Sequence, residues 1–249
     1  MYLDRIIAVR NDKTVYRDDD LCLKVFGEEY TKAHVLSEAL NLARAEEAGL
    51  NVPHLLRVEE IEGRWTLATR YVPGKTLAQL MRENPKRRAV YLSSLADWQL
   101  SLQAKPCPHF PRLHDKLSRA LDEAGLPSEV RHALQVRLES LPEYRQLCHG
   151  DFEPSNLLLT EDGSPCILDW PHAAEGNACA DAARTYLLLW LSGDIDGEEK
   201  YLSLYCEKSG TEKRRILQWM PLIAAARLRK CRAAEREFLR SWIDEGGTL

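Results

Sequence analysis

The spacing of apolar residues changes character once along the chain, near residue 75. Before it, apolar and polar residues alternate in short runs. Residues 5–10 and 15–17 alternate on either side of Asn11-Asp12-Lys13-Thr14, which predicts a β-hairpin, and residues 21–26 read as the next strand. Residues 31–48 carry apolar side chains at 35, 36, 39, 40, 42, 43 and 45, the spacing of one helix face, and Gly49 ends the run. Residues 58–61 and 65–68 flank Glu62-Gly63, a second hairpin. Tyr71-Val72-Pro73-Gly74 then breaks both patterns and marks a lobe boundary.

Beyond it the period is helical. Residues 76–83, 86–104, 114–124 and 128–140 space Leu and Ala three to four apart, with Pro and Gly between the segments. A β-like interlude at 147–169 precedes helices at about 181–192, 197–207 and 211–241, the last broken or kinked at Pro221. The architecture expected is α+β and bilobal. A small β-rich lobe with one main helix (1–73) joins a larger, mostly helical lobe (74–249) that carries a hairpin.

Composition narrows the class. Of 249 residues 45% are hydrophobic and 29% charged, as in an ordinary globular protein rather than a disordered one. Net charge is −4, from 34 basic and 38 acidic residues, too near neutral to announce nucleic acid as the main partner. No run of 18 apolar residues exists to span a membrane, and the acidic Asp4 stands where a signal peptide needs a basic, then apolar start. The seven cysteines are odd in number and never fall in C-x-x-C spacing, which reads as reduced thiols of a cytoplasmic protein.

The chemistry is concentrated in His149-Gly150-Asp151-Phe152-Glu153-Pro154-Ser155-Asn156 and the apolar runs that follow. Leu157-Leu158-Leu159 and Cys166-Ile167-Leu168 flank an Asp162-Gly163 turn, so they form a hairpin. With the turn centred between 162 and 163, Asp169 returns opposite Asn156, and Asp151 lies five residues upstream. An amide oxygen beside a carboxylate suits Mg²⁺, which keeps waters and takes phosphate oxygens for the rest of its octahedron. A carboxylate near the ion but not on it is placed to orient a hydroxyl nucleophile. Any one of these residues alone is a common turn or capping residue. Their combination points to phosphoryl transfer.

These motifs resemble those of the aminoglycoside phosphotransferase and choline-kinase-like small-molecule kinases, which share the protein-kinase fold. The family pattern H-G-D-x-x-x-x-N is matched by His149, Gly150, Asp151 and Asn156, and its I-D-W by Leu168-Asp169-Trp170. The trailing pattern W-x-x-A-x-x-G-x-x-x-x-D-x-A is matched by Trp170, Ala173, Gly176, Asp181 and Ala183. The resemblance is dense over 148–190 and weak before 75. It implies Asp151 as catalytic base or hydroxyl orienter, Asn156 and Asp169 as holders of Mg²⁺, and His149 and Asp181 as supports of the loop.

Such a site needs a cation on the nucleotide phosphates, held by an acid from a helix. Lys24 shares one strand face with Cys22 and Phe26, an unusual place for a surface lysine. Glu38 shares an apolar helix stripe with Val35 and Leu42, so it needs a partner, and Lys24 is the one available; Glu46 and Glu47 are the fallback. The turn that would cover the phosphates, Asn11-Asp12-Lys13-Thr14, has no glycine to let backbone amides approach. By resemblance and lobe order, the adenine edge meets backbone groups of Thr69, Arg70, Tyr71 and Val72.

The function expected is transfer of the γ-phosphoryl group of ATP (or GTP) to a hydroxyl of a small molecule such as an amino sugar or amino alcohol. Glu153, Glu175, Asp194, Asp196, Glu198 and Glu199 suggest an acidic acceptor side that favours an amine, although the 194–199 run also suits a solvated loop and helix start. The alternative is a catalytically silent pseudokinase serving as a binding module. Residues 211–240 hold nine basic residues against three acidic, which also fits a solvated basic helix face, so nucleic acid is not a partner on this reading.

Overall fold

A computed structural model describes residues 5–10, 13–105, 109–193, 196–229 and 231–246. Its strands are β1 (Ile6–Arg10), β2 (Lys13–Asp18), β3 (Leu21–Phe26), β4 (Leu55–Ile61), β5 (Arg64–Arg70), β6 (Lys75–Thr76), β7 (Gln146–Cys148), β8 (Leu157–Leu159), β9 (Pro165–Ile167) and β10 (Ala174–Gly176). Its helices are α1 (Lys32–Glu47), α2 (Leu77–Glu83), α3 (Arg88–Gln103), α4 (Leu113–Asp122), α5 (Ser128–Ser140), α6 (Ala178–Leu191), α7 (Gly197–Ser209), α8 (Lys213–Leu217), α9 (Met220–Leu228) and α10 (Arg236–Gly246).

By contacts the chain sorts into two units, Met1–Glu83 with Pro154–His172, and Asn84–Glu153 with Ala173–Leu249. The lobe boundary expected after residue 73 falls ten residues before the end of the first segment, and the hairpin of β8 and β9 groups with the N-terminal sheet. A short strand invisible in the sequence pattern is responsible: β6 pairs antiparallel with β8, Lys75 opposite Leu159. Gly74 permits that approach, since a Cβ there would stand 2.2 Å from the Leu159 carbonyl oxygen.

The first unit is built on an antiparallel five-stranded sheet of order β1-β2-β3-β5-β4. Lys13 and Thr14, expected in the first turn, belong instead to β2, where they pair with Phe26 and Val25; Asn11 and Asp12 lie outside the described residues. Helix α1 begins at a capping box, with the His34 N–H donating to Thr31 Oγ1 and the Thr31 N–H to His34 Nδ1. It buries Val35, Ala39 and Leu42, and the sheet buries Leu23, Val25, Leu67 and Ala68.

The second unit packs α3, α6, α7 and α9 around a core that includes Leu92, Leu95, Leu187, Leu202, Leu222 and Ile223. A two-stranded sheet, β7 with β10, crosses it. Gly176 of that sheet is dictated by packing, because a Cβ there would lie 2.4 Å from the Leu113 Cβ. The single helix expected over 211–241 is three helices. Pro221 stands in the first turn of α9, where its missing N–H leaves no helical bond unmade, so the break precedes it. A 3₁₀ turn at Ala233–Glu235 separates α9 from α10.

Some of the nine basic residues of the C-terminal segment pair with acids: Lys213 with Glu199 and Arg214 with Glu212 (both 2.6 Å), Arg232 with Glu235 (2.5 Å), and Arg229 with Glu123. Cys107 lies outside the described residues, and the six other cysteines are unbridged. Among the described residues no helix is long and apolar enough to cross a membrane.

Candidate active site

The first unit gathers four charged side chains. Lys24, in the middle of β3, donates to Glu38 Oε1 on α1 at 2.5 Å and to Asp169 Oδ1 at 2.6 Å. Lys13, opposite Phe26 on β2, donates to Glu38 Oε2 at 3.3 Å and lies 4.9 Å from the Phe26 ring centroid. The pairing of Lys24 with Glu38 is the contact anticipated from the sequence. Glu46, one of the two fallback acids, is occupied elsewhere, bonded to His54 and to the Leu55 N–H.

Two cations and two carboxylates in one place balance, which offsets the cost of burying this cluster, with Glu38 at 4% exposure. Burial alone would lower the pKa of Lys24, but Glu38 and Asp169 more than reverse this and hold it well above the ordinary lysine range. Lys13 moves the other way: burial and then the Lys24 charge lower it against the pull of Glu38. Lys24 therefore holds its proton more firmly than Lys13. Lys13 was hidden from sequence reasoning because its place beside Glu38 depends on β2–β3 register.

Asp169 reaches Lys24 through the end of the β8–β9 hairpin. The expected register paired Asp169 with Asn156. The observed pairs are Leu157 with Ile167, Leu158 with Cys166 and Leu159 with Pro165, one residue out of step. The turn has three residues rather than two: Thr160 and Ser164 face each other through the Thr160 N–H and Ser164 carbonyl, and Gly163 takes φ +80°. The Leu168 N–H accordingly donates to the Asn156 carbonyl at 2.8 Å, and Asp169 follows one step later at φ +67°. An aspartate tolerates that left-handed conformation better than most residues. Asn156 is buried, 2% exposed, at the end of the 3₁₀ turn Pro154–Asn156.

Two buried groups fix the segment after Asp169. Trp170 Nε1–H donates to the Ile167 carbonyl at 3.0 Å, and Asn41 Nδ2, one α1 turn after Glu38, donates to the Trp170 carbonyl at 3.1 Å. The same face of α1 thus holds the lysine anchor and the chain leaving the hairpin. At the proposed adenine edge, Thr69 lies inside β5, paired with Cys22 and Leu55. The N–H groups of Arg70 and Tyr71 donate to the His54 and Asp20 carbonyls, and the Arg17 guanidinium stacks 4.0 Å from the Tyr71 ring.

The second unit builds the loop that carries Asp151. His149 is fully buried, accepts the Asp151 N–H on Nδ1 at 3.2 Å and meets the Phe152 ring edge-on at 5.8 Å, a supporting position. Gly150, at φ +80°, donates its N–H to Asp181 Oδ1 at 2.7 Å. Asp181, buried on α6, is held on Oδ2 by Gln99 at 2.9 Å and Gln103 at 3.2 Å from α3. Thr185 on α6 donates to the Phe152 carbonyl at 2.9 Å. One turn of α6 therefore grips the loop at two points.

Arg184, on that same turn, donates to Asp151 Oδ1 from Nη2 at 2.6 Å and from Nε at 3.1 Å, and also to the Gly150 carbonyl. Lys116 of α4 donates to the Ala173 carbonyl at 3.2 Å. Burial, and then repulsion by Arg184, push its pKa down to about 8 against the attraction of Asp151. Neither cation was singled out from the sequence. Arg184 had a signal, standing one helical turn after Asp181; Lys116 had none.

Of the acids proposed for the acceptor side, two are engaged with neighbours. Glu175 pairs with Arg145, and Glu199 accepts from Tyr186 at 3.0 Å and Lys213 at 2.6 Å. Glu198 is buried at 7% exposure, and Asp194 lies outside the described residues.

The model of the phosphotransferase enzyme family (APH) matches residues 5–232 of the chain. Among solved structures, a thermostable mutant of the aminoglycoside phosphotransferase APH(4)-Ia, in ternary complex with ADP and hygromycin B, gives a TM-score of 0.71 at 16% identity, covering 98% of this chain and 92% of that one. The choline kinase LicA from Streptococcus pneumoniae gives 0.64 at 15% identity, covering 100% and 93%. A choline/ethanolamine kinase family protein from Mesorhizobium loti gives 0.62 at 19%, covering 100% and 86%. No curated protein sequence matches the chain. With the family pattern running through nearly its whole length and a kinase-like α+β fold beneath it, the chain belongs to the phosphotransferase enzyme family.

Proposed function

We propose that the chain transfers the γ-phosphoryl group of ATP or GTP to a hydroxyl of a small molecule, using Mg²⁺. The observation that carries this reading is the contact of Lys24 with both Glu38 and Asp169. Phosphoryl transfer is catalysed by positioning groups and balancing charge, and it needs a fixed cation for the phosphates beside a carboxylate for the ion. Lys24 serves as that cation and Glu38 keeps it in place. Residues 1–73 then carry the nucleotide, and 74–249 carry the catalytic and acceptor groups. With the Arg70 and Tyr71 N–H groups already bonded, the adenine edge is read by carbonyls of this stretch and by Val72.

The donor set suits a hard cation. Asn156 and Asp169 offer oxygen alone from the open end of one hairpin, and no cluster of three His, Cys, Asp or Glu able to hold a metal occurs among the described residues. A magnesium ion held there supplies charge neutralisation on the phosphates. Asp151 orients the acceptor hydroxyl and takes its proton as the new P–O bond forms and the bond to the nucleoside diphosphate breaks. Arg184 is a positioning residue, since its grip on Asp151 Oδ1 sets the direction of the carboxylate.

The acceptor is a hydroxyl compound such as an amino sugar or amino alcohol. Hygromycin B in one structural neighbour and choline in the name of another belong to that class. A catalytically silent binding module would require loss of Lys24, Asp151, Asn156 or Asp169, and all four are present. The test is an ATP-consumption screen over hydroxyl-bearing metabolites and aminoglycosides, with Asp151→Asn as the blank. The variant should bind nucleotide nearly as well as the parent while turnover falls by roughly 10²-fold or more. Full activity in Asp151→Asn would overturn the assignment.

A further inference from the structure

Lys24, Glu38 and Asp169 form a phosphate anchor with one cation, yet the first unit adds a second cation to them, Lys13. Lys13 opens β2 and pairs with Phe26, two residues beyond Lys24 on β3, so both lysines project from one face of the sheet. Each takes one oxygen of the same carboxylate, Lys24 at 2.5 Å from Glu38 Oε1 and Lys13 at 3.3 Å from Glu38 Oε2. The two ammonium groups are thus no further apart than these two contacts and the width of one carboxylate. A chain of phosphates is long enough to meet both.

Lys13 is incompletely seated for so enclosed a charge. Its side chain is 15% exposed, and an ammonium has three N–H groups to place. One goes to Glu38, beyond the usual hydrogen-bond length. The rings of Phe26 and Tyr30, 4.9 and 5.0 Å away, attract the charge without offering an oxygen acceptor. Burial and the Lys24 charge outweigh the pull of Glu38 and Asp169 on its proton, so Lys13 is short of negative charge where it stands. The turn just before it in the sequence contains no glycine, which disfavours the close backbone approach by which amides take up phosphate.

We propose that Lys13 binds the phosphate chain of the nucleotide directly, as a second cation beside Lys24 that replaces the amides of a glycine-rich turn. This role rests on nucleotide binding at Lys24, as proposed above. Phosphate oxygens give the Lys13 ammonium charge-assisted bonds in place of its long contact with Glu38, and Glu38 remains with Lys24. Lys13 supplies affinity for phosphate and transfers no proton.

The experiment measures ATP and adenosine binding to the full chain by calorimetric titration, and the reactivity of its lysines by trace acetylation read by mass spectrometry. ATP should lower acetylation of Lys13 about fivefold or more, and adenosine should leave it unchanged. Lys13→Met, which keeps the stem and drops the charge, should weaken ATP binding about tenfold or more but adenosine binding less than about twofold. Lys13→Arg should restore most of the affinity for ATP. A lysine acting only through Glu38 behaves differently in a second background: Lys13→Met would then add nothing to Glu38→Gln, whereas direct contact adds about the same tenfold loss. Acetylation of the parent needs no variant and carries the test if Lys13→Met or Glu38→Gln fails to fold. Failure of the parent to bind ATP would overturn the nucleotide site as a whole. With ATP bound, undiminished acetylation of Lys13, unchanged affinity in folded Lys13→Met, no added loss in the Glu38→Gln background, or equal losses for ATP and adenosine would overturn the role of Lys13 alone.

Discussion

Replacing Lys116 by methionine should stabilise the protein near neutral pH, an unusual expectation for removing a charge that Asp151 attracts. The pKa of Lys116 falls from 10.5 to about 8 on folding, burial being the largest cause. At about 1.4 kcal/mol per tenfold change in proton affinity, keeping the ammonium charged in the folded state costs about 3 kcal/mol. Methionine removes that cost and keeps much of the length. It also removes the hydrogen bond to the Ala173 carbonyl, at 3.2 Å, worth about 1 kcal/mol. The net gain near neutrality is about 2 kcal/mol.

The sign follows from proton counting. Between about pH 8 and 10.5 the unfolded chain binds more protons at this lysine than the folded one, so the parent gains stability as pH rises through that window. Below it the penalty is fully present, and above it the penalty is gone. The advantage of Lys116→Met should therefore shrink across the window and turn into a deficit of about 1 kcal/mol above it. Urea unfolding followed by tryptophan fluorescence and circular dichroism, at neutral pH and again near pH 10.5, measures both ends. A variant less stable than the parent at neutral pH, or a difference that does not change with pH, would refute the reasoning.

Other outcomes are equally specific. Asp169→Ala should abolish Mg²⁺-dependent turnover, checked by an activity titration with the metal, because the loss leaves phosphate charge uncompensated and Lys24 with one carboxylate instead of two. Lys24→Ala should weaken ATP binding or turnover without unfolding the protein, to be measured by calorimetric titration alongside a thermal melt. Gly176→Ala should destabilise the fold by about 1–3 kcal/mol, read from denaturant midpoints, because its Cβ would stand 2.4 Å from that of Leu113.

Much of the fold was legible because it rests on local pattern. Helix α5 spans Ser128–Ser140, the bounds its periodicity predicts, and α1 ends before Gly49 as its spacing requires. The candidate chemistry was legible for a different reason. Asp151, Asn156 and Asp169 belong to motifs only a few residues long, and Lys24 and Glu38 each break an apolar face in a way that asks for a partner.

What the tertiary structure alone decided concerns neighbours that no short window contains. A three-residue turn around Gly163 moved Asp169 one step along from Asn156, and one residue of register is beyond what an Asp-Gly signal specifies. Strand β6 is two residues long, too short for any period, and exists only because β8 pairs with it. Lys13 joins Glu38 across 25 residues, Arg184 joins Asp151 across 33, and Lys116 reaches the Ala173 carbonyl across 57. A residue's own chemistry declares that it needs a partner, and a local period declares which face it occupies. Which partner meets it is settled by the packing of distant elements, where burial raises the cost of every unmatched charge and so selects the arrangement in which Lys13, Lys24, Glu38 and Asp169 balance one another.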